Sequence, residues 1–177
     1  MAIDLMQRDR SRATIMAGAG SGIVSGLVMA LVAMLVSASA GHGFWFPPKL
    51  ISGVLIGVNS IIGGPGSVML GLIIHLAVSA FFGIVFGAVF GRVRDSRIAF
   101  TRGLVFGIGV YLFMNFLILP WANPTMNARV DLQPGWWFFE HLVYGGMLFM
   151  TPNMSQYLLN RETATSRTHV DKHRRAA

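Results

Sequence analysis

The chain has 177 residues, of which 54% are hydrophobic and only 12% charged, with a net charge of +7 and a mean hydropathy of +0.60. A soluble domain usually carries about 25% charged residues, so this composition argues for lipid as the solvent of much of the chain. The lack of cysteine excludes disulfides, thiolate metal sites and a cysteine nucleophile.

In chain order, residues 1–12 form a basic leader with Arg8, Arg10 and Arg12, followed by an apolar window over 13–38. Crossing a hydrocarbon core takes roughly 20 helical residues, and this window suffices. Its basic start and the small-residue string SASAG at 37–41 also resemble a cleavable signal peptide. Signal h-regions run to only about 7–15 residues, so a retained helix is expected. The connection from Gly41 reads GHGFWFPPKLISGVLIGVNSIIGGPGS, with Pro47 and Pro48 placed to start a helix and Gly63, Gly64, Pro65 and Gly66 to end one. The segment between them is apolar but too short to span. It reads as a surface-lying or re-entrant helix over the outer mouth of a bundle, the alternative being a greasy loop.

Three further windows follow at 68–91, 98–119 and 136–158. Arg92, Arg94, Arg97 and Arg102 surround the turn between the second and third. Arg161, Arg167, Lys172, Arg174 and Arg175 follow the fourth, in a polar tail over 159–177 that is expected to stay disordered or to touch anionic lipid. Of the 14 basic residues only Lys49 and Arg129 fall in the other connections. The positive-inside rule then puts both termini in the cytoplasm. Trp45, Trp121, Trp136 and Trp137 all fall in the two outer connections, where indoles suit the headgroup layer. The positive charge is therefore an orientation signal, and nucleic acid is not an expected partner. The expected fold is an all-α, integral membrane four-helix bundle of the bacterial inner membrane, multi-pass, with a short extracytoplasmic helix between spans 1 and 2.

Counting by fours along the second window gives Gly71, His75, Ser79, Gly83, Gly87 and Gly91 on one helix face. Small residues on such a stripe let two backbones approach, and close packing is what joins helices in lipid. Gly18, Gly22 and Gly26 form the same device on the first window, Gly103 and Gly107 with Tyr111 and Asn115 on the third, and His141 with Gly145 on the fourth. At 1.5 Å per residue, His75, His141 and Asn115 lie on the order of 6–14 Å below the outer boundary, deep enough to meet. The chain also looks doubled. GIVSGLVMAL at 22–31 aligns with GLVFGIGVYL at 103–112, and HLAVSAFFG at 75–83 with HLVYGGMLF at 141–149. Two tandem helix pairs related by an axis along the membrane normal would bring His75 and His141 to equivalent places; chance similarity is the alternative.

The order of FWFPPKLISG (44–53), a glycine turn, HLAVSAFFGIVFG (75–87) and a late HLVYG (141–145) resembles a family of small four-helix bacterial inner-membrane proteins of unknown function. The resemblance covers most of residues 15–155. It implies four spans and inner-membrane residence, and it carries no catalytic residues.

For His75 and His141 the plainest expectation is neutral imidazoles bonded across helices to Asn115, Ser79 or a backbone carbonyl. A sharper one makes them axial ligands of a b-type haem, with Asn115 in support and Gly71, Gly145 and Gly146 leaving room for a flat macrocycle. A metal site with His42 as third ligand is a further possibility, since imidazole suits zinc, copper or iron. Glu140 is a poor ligand beside His141, because adjacent helical side chains diverge by about 100°. Near the headgroups it reads as a solvated or interface-paired carboxylate, a proton-relay group being the alternative, and Arg129 and Asp131 read as loop surface. Pro152 is expected to kink the end of the fourth span. No serine–histidine–acid set, facing carboxylate pair or phosphate-binding glycine loop with lysine occurs, so no enzyme chemistry is expected. The leading expectation is a non-enzymatic accessory or assembly component that packs through its glycine stripes against itself or a larger membrane complex. A haem-binding electron carrier and a small channel or transporter are the rivals.

Overall fold

A computed structural model describes residues 2–91, 93, 95–130 and 132–161, with side chains from Arg10 onward. Arg92, Arg94, Asp131 and the tail from 162, with Arg167, Lys172, Arg174 and Arg175, lie outside the described residues. Among those described, the chain is helical throughout with no strand. Helix α1 covers Ala2–Ser39, so it begins well before the apolar window, and it ends where Gly41 and Gly43 take φ of 81° and 93°. Only glycine adopts that left-handed conformation without a Cβ clash, which fixes the stop. Helix α2 (Phe46–Ile56) starts on Pro47 and Pro48, whose missing N–H groups cost nothing in a first turn, and stops at Gly57. The short α3 (Asn59–Ile62) leads through Gly63 and Gly64 into α4 (Pro65–Phe90). Helix α5 (Ser96–Leu112) is capped by Asp95, whose carboxylate accepts the Arg97 N–H at 2.8 Å.

The third apolar run does not end with α5. A π-helical turn over Phe113–Ile118 joins it to α6 (Leu119–Ala122), then α7 (Pro124–Val130) follows. Pro120 explains the wide turn: proline cannot donate to, and clashes with, the carbonyl four residues back at Phe116, and an expanded turn relieves both. Helix α8 (Pro134–Met147) tightens into a 3-10 turn at Leu148–Met150 and resumes as α9 over 151–161. Pro152, the expected site of a kink, stands two residues after that 3-10 turn.

Three helical stretches are long and apolar enough to cross a membrane: Arg10–Ser39, Pro65–Phe90 and Ser96–Ala122. The fourth expected span is interrupted. Its leading piece of 14 residues is about 21 Å long by helical rise, short of a hydrocarbon core of about 30 Å. Large apolar side chains stay exposed along all three long stretches, for example Leu35, Met69, Ile73, Val89 and Val105. Such belts suit acyl chains and would be costly in water.

Two helix pairs make the bundle. In the first, α1 and α4 interleave backbone to backbone. A Cβ at Gly18 would strike the Gly83 carbonyl, one at Gly22 would strike the Ser79 carbonyl, and one at Gly87 would lie 2.7 Å from the Thr14 carbonyl oxygen. The second pair repeats the pattern, with Gly103 against the Gly145 carbonyl and Gly107 against the His141 carbonyl and 3.1 Å from the Gly145 Cα. Gly22 pairs with Ser79 as Gly103 pairs with Gly145, which are the correspondences of the sequence doubling. The pairs join through Tyr144, whose hydroxyl donates to the Ser79 carbonyl at 2.7 Å, and through the Ser21 and Thr151 hydroxyls, 2.6 Å apart. Met29, Phe86, Tyr144 and Leu148 form the core between them, with Phe82, Phe90 and Phe106 packed on it. Gly91 also faces α1, at the Thr14 side chain, and Gly26 faces Ser79. The stripes are thus occupied within one chain, which removes the reason given above for an outside partner.

At the end of the bundle opposite the termini, α2, α3, α6 and α7 form a lid. Leu50, Leu119, Met126 and Val130 are its core. Asn123 ties it together, donating from Nδ2 to the Leu50 carbonyl at 2.8 Å and accepting the Met126 N–H at 3.1 Å. Helix α2 sits on α4 where Gly71 meets the Pro48 carbonyl. Its other face leaves Leu55 exposed, and Val58 and Ile62 beyond it are exposed too. The short connection is therefore a packed helix, as expected, and not a greasy loop.

Candidate functional site

Beneath the lid lies a cavity of about 330 Å³, within the range of about 300–1,000 Å³ typical of small-molecule pockets. It is walled by four elements whose inward faces follow helical spacing. Helix α4 contributes His75, Val78, Ser79 and Phe82, and α8 contributes Trp137, Glu140, His141 and Tyr144. Both sets run i, i+3, i+4, i+7, one face of a helix. Met29, Ala33 and Ser37 of α1 and Met114 and Leu119 of the third run complete the sides, and Phe46, Pro48 and Met126 close the top. On the side away from the lid Phe82 forms the floor, with Phe86, Phe90 and Phe106 packed behind it.

The two histidines do share one pocket, and each ring is fixed by a carbonyl. His75 Nε2 lies 2.9 Å from the Gly26 carbonyl across the α1–α4 interface. His141 Nδ1 lies 2.8 Å from the Trp137 carbonyl one turn earlier. A carbonyl only accepts, so each of those nitrogens carries the hydrogen, and in the neutral ring the other nitrogen holds a lone pair. His75 Nδ1 and His141 Nε2 have no hydrogen-bond partner among the described residues. The His141 ring is further held edge-on by Trp137 at 4.5 Å and Tyr111 at 5.7 Å between centroids.

Glu140 corrects the reading made from sequence. It is only 7% exposed, faces the cavity, and makes no hydrogen bond or ion pair among the described residues. It lines the cavity together with residues of α1, α4 and the lid, segments far from it in sequence. Trp137 Nε1 is buried without a partner on the same wall. Arg129 reaches the cavity rim, where its guanidinium lies 5.5 Å from the Phe46 ring centre. His42 is also on the rim, stacked on Phe46 at 5.6 Å.

Three expectations fare less well. Asn115 is buried in the π turn with its Oδ1 unpartnered, and it does not line the cavity or bond either histidine. The extra residue of the turn rotates it away. Among the described residues no three His, Asp or Glu side chains cluster to hold a metal ion, so His42 does not join His75 and His141 as a third ligand. The glycines expected to admit a macrocycle are filled: Gly71 by the Pro48 carbonyl, Gly145 by the backbone of Gly103 and Gly107, and Gly146 by the Phe100 ring. His141 is held as metal-bound imidazoles generally are, with Nδ1–H on a carbonyl. His75 is held likewise, with Nε2–H on the Gly26 carbonyl and Nδ1 free, so what argues against a bis-histidine haem is the filling of the glycine positions that were to admit its macrocycle.

Trp137, Glu140 and Tyr144 are the site residues that sequence reasoning missed. Their i, i+3, i+7 spacing around His141 was the available signal. No family model, curated protein or solved structure matches the chain.

Proposed function

We propose that this chain is a non-enzymatic protein of the bacterial inner membrane that binds a small, largely apolar molecule in the lidded cavity. In this reading the interrupted helix from 134 to 161 is the fourth crossing, both termini face the cytoplasm, and the lid faces outward with Trp45 and Trp121, while Trp136 and Trp137 stand at the same end of the fourth crossing. The charge distribution supports the orientation: Arg10, Arg12, Arg97, Arg102 and Arg161 are exposed at the terminal end, against Lys49 and Arg129 in the lid. The observation that carries the binding role is a cavity of about 330 Å³ lined by aliphatic and aromatic side chains in which an acid and two imidazoles keep unused hydrogen-bonding capacity. A pocket of that kind is the default binding site. The phenylalanine floor favours binding over conduction, and the internal use of the glycine stripes leaves the accessory role without its former support.

The natural absence of cysteine makes topology directly testable. Single cysteines placed at Leu132 in the lid and Gln156 near the other end should be labelled by an impermeant maleimide in intact cells only at 132; labelling at 156 alone would invert the topology. For binding, native mass spectrometry of detergent-purified protein should show retention of apolar small molecules that an Ala33→Trp filling of the cavity abolishes. A wild type that retains none, and gains no thermal stability from any apolar probe, would refute the role.

A further inference from the structure

The polar groups of the cavity are unusually one-sided. An ionised carboxylate is acceptor-only, and the carbonyl partners of His75 and His141 leave each neutral ring with a lone pair and no hydrogen to offer. Among the described residues the indole Nε1–H of Trp137 is the buried donor without a partner on this wall, and the Ser79 hydroxyl can donate or accept. Against them stand Glu140, His75 Nδ1 and His141 Nε2, on two facing helices. A buried carboxylate without a partner is expensive in a low-dielectric setting and is retained only where something compensates it. The only cation at the cavity, Arg129 among the described residues, lies over Phe46 at the rim and is exposed. What the inner wall lacks is a positive charge that can donate several hydrogen bonds.

Resting on the binding role proposed above, we infer that the cavity takes a protonated amine carried on an apolar body, its ammonium group seated against Glu140, the buried carboxylate on the wall that has no partner among the described residues. An ammonium supplies up to three donors and no acceptor, which suits a carboxylate that when ionised only accepts, on a wall that also carries imidazole lone pairs. The indoles of Trp136 and Trp137 add ring faces of the kind that attract cations, and the aliphatic walls take the body. A carboxylic acid or a ketone of equal size would set its oxygen lone pairs against those of the protein.

Octylamine, octanol and octanoate form a test set of nearly constant apolar size. Full-length protein in lipid nanodiscs is titrated with each, read by tryptophan fluorescence, with the Ala33→Trp protein subtracting bilayer partition. Octylamine should half-saturate at a concentration at least tenfold below octanol, and octanoate should be weaker still. Glu140→Gln, which keeps shape and folding, should bring octylamine and octanol within twofold of one another. Equal binding of amine and alcohol in the wild type overturns the inference and leaves the binding role intact; a protonated Glu140 bonded to an imidazole would behave this way. Preference for octanoate also overturns it, and puts Arg129 in charge of selection. Binding of none of the three removes both the inference and the role on which it rests.

Discussion

Replacing Gly83 by alanine tests the packing that organises everything else. A Cβ there would lie 2.6 Å from the Gly22 Cα and 2.9 Å from its nitrogen, and would run into the Gly18 carbonyl. All three neighbours are backbone, so no side chain can swing aside. Carbon pairs are at rest near 3.5–4.0 Å, so α1 and α4 must part by roughly 1 Å, and a gap of about 0.5–1 Å already forfeits a quarter to a half of each contact's attraction. Overpacking of this kind costs about 1–3 kcal/mol. Set against the roughly 0.5–1 kcal/mol that alanine gains over glycine in a helix, a net loss of about 1–2 kcal/mol is expected, a 5–30-fold fall in the folded population. The doubling makes a second, independent demand. Gly145→Ala meets Gly107 at 2.8 Å and 2.9 Å and the Gly103 carbonyl, so it should cost the same. Gly109, with nothing within 4 Å of its missing Cβ, should tolerate alanine or gain from it. The assay is reversible unfolding in mixed micelles followed by circular dichroism. Wild-type stability in both Gly83→Ala and Gly145→Ala, or a loss in Gly109→Ala as large as theirs, would refute the reasoning.

Tyr144→Phe removes the hydroxyl that joins the two pairs at the Ser79 carbonyl and should lower stability by about 1 kcal/mol in the same assay, with no change in helix content. His75→Leu should cost only about 0.6 kcal/mol, the typical worth of an interhelical hydrogen bond in lipid, since the Gly26 carbonyl keeps its own helix; a loss above 3 kcal/mol would show the ring to be a structural keystone instead. Asn123→Leu severs both lid ties, so amide exchange over Phe46–Ile56 should accelerate at least tenfold while the α1–α4 core remains protected.

Much of this architecture was legible because its cause is short-range. The glycine stripes encode contact faces at fixed spacing, and the doubling names which stripe meets which, so the placing of His75 on an interface followed from Gly71 to Gly91 alone. The two prolines of α2 announced a helix because their chemistry acts within one turn. What was hidden depends on long-range cover. Glu140 looks solvated in sequence because nothing local says that residues of α1, α4 and the lid will enclose a cavity with it. Asn115 looked like a partner for the histidines because a regular count by fours from Gly103 was carried into Phe113–Ile118, where the helix in fact widens to a π turn. Gly145 and Gly146 suggested space for a cofactor, yet a missing side chain is just as often space already taken by a neighbouring backbone, as it is here.

The π turn at Phe113–Ile118 lets one rod serve two clients. Below it, the phase of the helix is dictated by α8 at Gly103 and Gly107; above it, the phase is dictated by the lid, which needs Leu119 inside and Asn123 at Leu50. An unbroken α-helix would have to choose. Deleting Phe116, 69% exposed and touching no core, would restore regular winding and swing everything beyond it by about 100°. The lower bundle would be untouched while the roof lost its fastening, so one codon separates a roofed cleft from an open bowl.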